Sequence, residues 1–348
     1  MDADPDSPRQ PAVSVIVPAL NEEAVIARCL ESLAAQTLPL DEFEVIVVDN
    51  GSRDRSVEIA LRFRDSLRLR VLKREGVRIS ALRNFGAAAA RGRFLAFLDA
   101  DCIAPPDWLS HALQALRGEG CGVIGAHYTI PPGSSWVART WYEDLRTRKR
   151  GRVSYVPAGT LLIGRELFFE VGGFDETIET SEDCEFCQRV SAAGFPVEAI
   201  PALSTVHLGT PQTVAAFYRK QRWHGTNVHT VFLRNMLRPS SAKSTLYALY
   251  TLCCLVMVTA AGLIALLFHN YAPLSVATLL LFAAPALLAM RAAASRKRWT
   301  LLFPLAFLYF VYGFARGLCL LGLSSPRRAA PAAASVSGGP FPAAGRPE

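Results

Sequence analysis

Asp99 and Asp101 stand two residues apart at the end of the apolar run Phe94-Leu-Ala-Phe-Leu98. On an extended segment, side chains at that spacing point to one face. Two carboxylates so placed repel each other unless a cation joins them. A hard divalent ion is the natural partner, because Mg²⁺ takes one or two carboxylates, keeps waters and completes its shell with phosphate oxygens. The competing assignment is a cap and first-turn acid for the helical pattern from Asp107 to Leu116, where aspartate is also favoured. The place of the triplet in the fold decides between the two.

From Val13 to Asp101 short β-branched runs alternate with helical patterns. Strands are expected over 13–18, 43–49, 69–72 and 93–99, with helices over 22–33, 56–63 and 79–90. Phe43-Glu-Val-Ile-Val-Val-Asp49 is nearly all apolar, as a strand covered on both faces should be. This alternation predicts an α/β fold with a doubly wound, mostly parallel sheet flanked by helices. Such sheets bind ligands at the carboxyl ends of their strands. Asn21 and Glu22, Asp49 and Asn50, and Asp99 and Asp101 collect at those ends. Beyond Asp101 the pattern is mixed: helices over 108–116, 136–148, 182–193 and 213–237, a strand over 123–130, and extended chain over 153–163.

The C-terminal part has another character. Thr245 to Phe268 and Asn270 to Met290 carry no charge, and Trp299 to Leu323 is broken only by Arg316. About 20 apolar residues cross a bilayer as a helix, so residues 244–323 predict a membrane region of two to three transmembrane helices. Arg316 leaves an interfacial or re-entrant third helix open. Residues 244–348 hold eight basic residues and one acid, which is the whole formal charge of +7. The remainder is balanced, so the basic pI gives no case for nucleic acid. Arg291, Arg296, Lys297 and Arg298 sit between the second and third runs, and Arg238 and Lys243 precede the first. The positive-inside rule then expects an integral plasma membrane protein with residues 1–243 in the cytoplasm. The acidic start, Met1-Asp-Ala-Asp-Pro-Asp, is unlike a signal peptide. Segments 1–11 and 324–348 are expected to be disordered. The one CxxC, Cys184 and Cys187, lacks a second pair and fits a reduced compartment better than a zinc site.

Several motifs occur in a telling order: Val13-Ser-Val-Ile-Val-Pro-Ala-Leu-Asn-Glu-Glu, Val47-Val-Asp-Asn-Gly-Ser-Arg-Asp, Ala81-Leu-Arg-Asn-Phe-Gly and Phe97-Leu-Asp-Ala-Asp. Gly172-Gly-Phe-Asp-Glu, Ser181-Glu-Asp and Arg219-Lys-Gln-Arg-Trp223 follow. Together they resemble the family 2 glycosyltransferases, inverting enzymes of the GT-A fold, over about residues 12–225. The resemblance implies a GT-A domain over 12–237, its last part (211–237) an interfacial helix.

It also implies roles. Pro18, Asn21, Glu22, Asp49, Arg83 and Asp99 would bind the donor nucleotide. Asp49 would accept from a base, which suits the N3–H of uracil and a UDP-sugar. It is equally a turn residue opening Asp-Asn-Gly-Ser, and Arg83 is otherwise a solvated helix arginine. Asp101, with Asp99, would hold Mg²⁺ or Mn²⁺. His207 would be a further metal ligand, more at home with Mn²⁺, or else a satisfied loop histidine. Asp183, with Glu182 beside it, would be the base that takes the acceptor proton; helix-start acids also suit the helix dipole. Gly159, Thr160, Arg219, Arg222 and Trp223 would line the acceptor side. Arg219, Arg222 and Trp223 match a signature of polysaccharide synthases, and an interfacial helix anchor accounts for them as well. Such synthases also carry membrane helices ahead of the catalytic domain, and here the first apolar run begins at Thr245. Transfer of single sugars to a lipid-linked or saccharide acceptor is therefore expected, in synthesis of cell-envelope glycan, exopolysaccharide or glycolipid, with membrane lipids as neighbours. The Ala- and Arg-rich usage suggests a bacterium.

Other classes fit less well. No G-x-x-x-x-G-K-[ST] is present, and no G-x-G-x-x-G follows the first strand. A nucleotidyltransferase would leave Glu182-Asp183 and Arg222-Trp223 without a use. A non-catalytic membrane subunit would have no need of acids at 99, 101, 182 and 183.

Overall fold

The computed structural model describes residues 10–118, 121–146, 150–225 and 239–322. Of the segments expected to be disordered, all but residues 10 and 11 lie outside the described residues, as do residues 226–237 of the expected interfacial helix.

The first half runs β1 (Val13–Ala19), α1 (Ile26–Ala34), β2 (Phe43–Asp49), α2 (Ser56–Leu61), β3 (Leu69–Lys73), α3 (Ile79–Ala89) and β4 (Phe94–Phe97). Then come β5 (Cys102–Ile103), α4 (Trp108–Leu116), β6 (Val123–Gly125), α5 (Trp136–Arg146), β7 (Gly151–Arg152), β8 (Leu162–Gly164), α6 (Arg165–Glu170), α7 (Glu182–Ala192), β9 (Val197–Ala199), β10 (Val206–His207) and α8 (Val214–Gly225). Three long helices follow: α9 (Pro239–Phe268), α10 (Ala272–Arg296) and α11 (Leu302–Leu320).

The main sheet has the order β3-β2-β1-β4-β8-β6-β9-β7. The β3-β2-β1-β4 half is wholly parallel, and β8 enters antiparallel beside β4. β1 lies in its centre and is buried on both faces. Val13, Val15 and Val17 pack into one core layer with α1 and α4, while Ile16 faces the other, with α3 and α7. Period-two side chains on a doubly covered strand produce that split.

The strand expected over 123–130 stops at Gly125. Thr160 Oγ1 donates to Ala126 O at 2.5 Å and accepts from Ala126 N–H at 3.3 Å, so a side chain takes the place of the next ladder partner. The extended chain expected over 153–163 is interrupted by a 3₁₀ turn at Ala158–Thr160.

Among the described residues, three helices are long and apolar enough to cross a membrane: Lys243–Phe268, Ala272–Arg296 and Trp299–Leu320. They are not a detached bundle. Leu308 and Val311 of α11 share a buried apolar cluster with Val137 of α5 and Phe217 of α8. Arg298 pairs with Glu143 of α5 at 3.0 Å, and Arg296 Nε donates to the Glu143 carbonyl at 3.0 Å. Arg316, the charge that interrupts the third apolar run, turns toward α8. Its Nη1 donates to His224 O at 2.8 Å and its guanidinium lies over the Tyr312 ring at 5.0 Å.

Candidate active site

The ends of β1 and β2 are knitted together. Asp49 closes β2, 1% exposed, and accepts from the backbone N–H of Gly51 at 3.1 Å and of Ser52 at 3.2 Å. Gly51 has φ +84°, a left-handed backbone that glycine adopts without a Cβ clash. This turn grips the chain leaving β1: Asn21 N–H donates to Ser52 Oγ at 2.9 Å, and Asn21 Oδ1 accepts from Arg53 N–H at 2.9 Å. Glu22 N–H donates to Ser56 Oγ at 2.7 Å. Pro18 is buried in β1, in register with Val48. The turn role of Asp49 is thus plain in the geometry.

Asp99 and Asp101 are not on extended chain. β4 ends at Phe97, and Cys102 N–H donates back to Asp99 O at 2.9 Å, which makes the triplet a turn. Its two carboxylates go to different partners. Asp99 Oδ1 accepts from Arg83 Nη2 at 2.7 Å, and its Oδ2 accepts from Tyr128 Oη at 3.1 Å. Burial works to raise the Asp99 pKa, but the Arg83 guanidinium, aided by His207 and Tyr128, holds it below the usual carboxylate range.

Asp101 meets His207. The short ladder of β5 on β10 pairs Cys102 with His207, and Leu208 N–H donates to Asp101 O at 2.8 Å. Asp101 Oδ2 then lies 3.5 Å from His207 Nε2. The far side of the buried imidazole is held too, with Nδ1 3.2 Å from Thr210 Oγ1 and the ring 4.6 Å from that of Tyr128. A Cβ at Gly209 would lie 2.1 Å from Asp101 Oδ2, so glycine alone leaves the carboxylate its place. Among the described residues no three His, Cys, Asp or Glu gather at one point. A two-ligand set still fits Mg²⁺ or Mn²⁺, whose remaining positions go to waters and phosphate oxygens.

Arg83 is 2% exposed, so it is no solvated helix arginine. While Nη2 holds Asp99, Nη1 donates to Glu182 Oε1 at 2.7 Å. Burial disfavours its charge, yet the two carboxylates keep it protonated beyond the ordinary arginine range. Its fork is spent on protein acids, so its reach toward a donor runs through them.

Asp183 sits in the first turn of α7, after Ser181, whose φ of +70° is a strained left-handed conformation for a residue with a Cβ. The half-buried Asp183 carboxylate accepts from Cys184 N–H at 2.7 Å and is also hydrogen-bonded by the Ala158 backbone. Burial, together with the Glu182 charge beside it, pushes its pKa up to about 7. A carboxyl with that value can take and release a proton near neutral pH.

The Ala158–Thr160 turn separates the two acids. A Cβ on Gly159 would lie 2.2 Å from Asp99 Oδ2 and 2.5 Å from Tyr128 Oη. Thr160 is wholly buried with its hydroxyl spent on Ala126, so the acceptor contact expected of it gives way to a structural one. Arg219, Arg222 and Trp223 lie on α8. Arg219 is exposed, Arg222 lies over the Tyr218 ring at 5.9 Å, and Trp223 packs on His224 at 4.7 Å. α8 reaches the start of α7 through its last turn, where Thr180 Oγ1 donates to His224 O at 3.5 Å.

Tyr128 was absent from the sequence-derived candidates. It lies in the stretch expected as strand, where its spacing resembles that of any core aromatic. Gly209, two residues past His207, was the one local hint of close packing at the metal side.

Comparison with known proteins bears on the family and the fold. Residues 14–172 match the model of glycosyl transferase family 2, and residues 94–315 that of glycosyl transferase family group 2. The chain is 31% identical over 192 residues to Glycosyltransferase AglE of Haloferax volcanii, covering 53% of this chain and 63% of that protein. It is 31% identical over 224 residues to the validoxylamine A glucosyltransferase of Streptomyces hygroscopicus subsp. jinggangensis, covering 54% and 53%. The matches thus span about half to under two thirds of those relatives. Among solved structures, the mannosyltransferase PcManGT from Pyrobaculum calidifontis, in complex with GDP-Man and Mn²⁺, superposes with a TM-score of 0.60 at 22% identity. That superposition covers 91% of this chain and 90% of that one and shares the mostly parallel sheet flanked by helices. With a family model spanning residues 94–315 of its 348, the chain belongs to the family 2 group of glycosyltransferases and has the GT-A fold.

Proposed function

We propose that the protein is an inverting glycosyltransferase that moves a sugar from a nucleotide-sugar, in first preference a UDP-sugar, to a lipid-linked or saccharide acceptor at the cytoplasmic face of the plasma membrane. One observation carries this reading: Arg83 ties the carboxylate beside the Asp101–His207 pair to the carboxylate beside Asp183. A cation-binding end and a proton-accepting end are thereby held in one frame.

Asp101 and His207 would hold Mg²⁺ or Mn²⁺, which when bound supplies positive charge against a departing diphosphate. The knitted ends of β1 and β2, with Pro18, Asn21, Glu22 and Asp49, would receive the nucleoside. Gly159, lacking a Cβ, lets the Asp99 carboxylate and the Tyr128 hydroxyl sit against the backbone. Asp183 takes the acceptor hydroxyl proton as that oxygen bonds to the anomeric carbon and the bond to the diphosphate oxygen breaks. The raised affinity of Asp183 for a proton suits that step. Arg219, Arg222 and Trp223 on α8 would face the acceptor, and the apolar helices would keep that face against the lipid. The test is a hydrolysis and transfer screen of the full chain in lipid nanodiscs against a panel of nucleotide sugars. Turnover of one donor, dependent on Mg²⁺ or Mn²⁺, is expected; no turnover of any donor with any acceptor lipid would overturn the assignment.

A further inference from the structure

Arg316 is the one charged residue within α11 (Leu302–Leu320), in an otherwise apolar helix. A guanidinium placed so costs several kcal/mol in lipid unless protein groups receive it. Here they do. Nη1 donates to His224 O at 2.8 Å, and Nη2 lies 3.4 Å from the Oε1 of Gln221, a buried side chain of α8. Three residues on, Cys319 Sγ approaches Arg222 O at 3.2 Å. The last turn of α8 therefore has two carbonyls met by side chains of α11. Backbone carbonyls are strong acceptors, and a charged guanidinium set against one makes a stronger hydrogen bond than a neutral donor would. Close packing at Gly225 enforces the fit, since a Cβ there would lie 2.7 Å from Cys319 Sγ and 3.1 Å from Arg316 Cδ.

The same His224 carbonyl has a second donor. Thr180 Oγ1 reaches it at 3.5 Å, and Thr180 is buried. Thr180 is followed by Ser181, held at φ +70°, and then by Glu182 and Asp183. A strained conformation persists only where its surroundings enforce it. One acceptor atom thus stands between the third apolar helix and the turn that aims the proposed base.

We infer that Arg316 is a positioning residue for transfer: by bonding the His224 carbonyl of α8 from the third apolar helix, it fixes the Thr180–Ser181 turn and with it the direction of Asp183. The inference rests on Asp183 being the base. Its consequence is that correct seating of the last apolar helix sets the rate of sugar transfer and not the grip on the donor, whose contacts lie at the ends of β1 and β2.

The test uses the full chain in nanodiscs with Arg316→Met, Arg316→Lys, Thr180→Val and Asp183→Asn. Arg316→Met should lower kcat roughly ten- to a hundred-fold, as small misplacements of reacting groups do, with donor KM unchanged. Arg316→Lys should restore part of the loss. Amide hydrogen exchange over residues 178–186 should quicken in Arg316→Met and in Thr180→Val, which leaves the membrane helix untouched. Wild-type kcat and exchange in both variants would overturn the inference, as would lost kcat with unaltered exchange at 178–186. If Arg316→Met fails to insert, Thr180→Val decides alone by the same two readouts. Exchange does not depend on which group is the base. Normal turnover by Asp183→Asn would therefore sink the base assignment, while faster exchange in the other variants would still place Arg316 in control of this turn.

Discussion

Arg83 Nη1 donates to Glu182 Oε1 at 2.7 Å across 99 residues of sequence, while its other terminal nitrogen holds Asp99 at 2.7 Å. One buried guanidinium spans the strand end of the parallel half of the sheet and the first turn of α7. The two acidic motifs that the sequence presents as separate are the two sides of a single ionic frame.

That frame predicts the effect of removing its centre. Arg83→Met leaves Asp99 and Glu182 facing each other without a cation. Breaking a buried pair in this way costs about 3–5 kcal/mol, so a clear fall in thermal unfolding temperature is expected alongside loss of transfer. Arg83→Lys keeps the charge but cannot fork to two acids, and should fall between the two. Wild-type stability in Arg83→Met would show that the frame is not structural.

Asp183→Asn should cut transfer severely while nucleotide binding, measured by calorimetry, stays at the wild-type level. General bases contribute about 10²- to 10⁴-fold, so residual transfer should fall within that range. Glu182→Gln, which touches Arg83 and not the acceptor, should lose less.

The raised pKa of Asp183 sets a pH dependence. Transfer needs the ionised carboxylate, so the rate should climb as pH passes through about 7. Stability moves the other way. Between the ordinary aspartate value of 3.8 and about 7 the folded protein keeps a proton that the unfolded chain releases. Stability from this group is therefore fully present below the ordinary value and lost as pH rises through about 7. Asp183→Asn should raise the unfolding temperature above that of wild type at pH 8, with the gap closing toward pH 4. A constant gap across the range would remove Asp183 as the source.

At the Asp101–His207 pair proposed to hold the metal, Gly209→Ala is the sharper probe than deletion of either side chain. Its Cβ would stand 2.1 Å from Asp101 Oδ2 and displace the carboxylate without changing its charge. Mn²⁺- or Mg²⁺-dependent nucleotide affinity should drop in Gly209→Ala as it does in Asp101→Ala, with metal-free affinity unchanged. Affinity that ignores the metal in wild type as well would refute the role of Asp101 and His207.

Most of the parallel half of the fold was legible because β1, β2 and β4 are buried on both faces and so are written as largely apolar runs, Phe43 to Asp49 most clearly. The strand-end acids were legible for the same reason, since the polar residues stand out where those runs stop. In the other half the helices were legible, Trp108–Leu116 and Glu182–Ala192 among them, and the strands were not. β5, β7 and β10 have two residues each, too few for any alternation to register. Whatever those strands carry was hidden with them, including the ladder that sets His207 against Asp101. Arg83 shows a different limit. It lies in a helix of ordinary periodicity, and only its partners, distant in sequence, distinguish a buried fork from a solvated side chain. The extended geometry expected of Asp99-Ala100-Asp101 failed because β4 is short and its last turn closes on Cys102.

The ladder of Cys102-Ile103 on Val206-His207 also bears on the order in which the fold assembles. Its two strands are brief and far apart along the chain, and contacts of that kind form late because the intervening loop must be closed first. β6, β8 and β9 all lie between them in the chain. A nascent chain that has reached only α4 owns Asp101 but has nothing to set opposite it. Asp101 and His207, the pair proposed to hold the metal, are therefore expected to meet late in folding, after the parallel half of the sheet has its own neighbours.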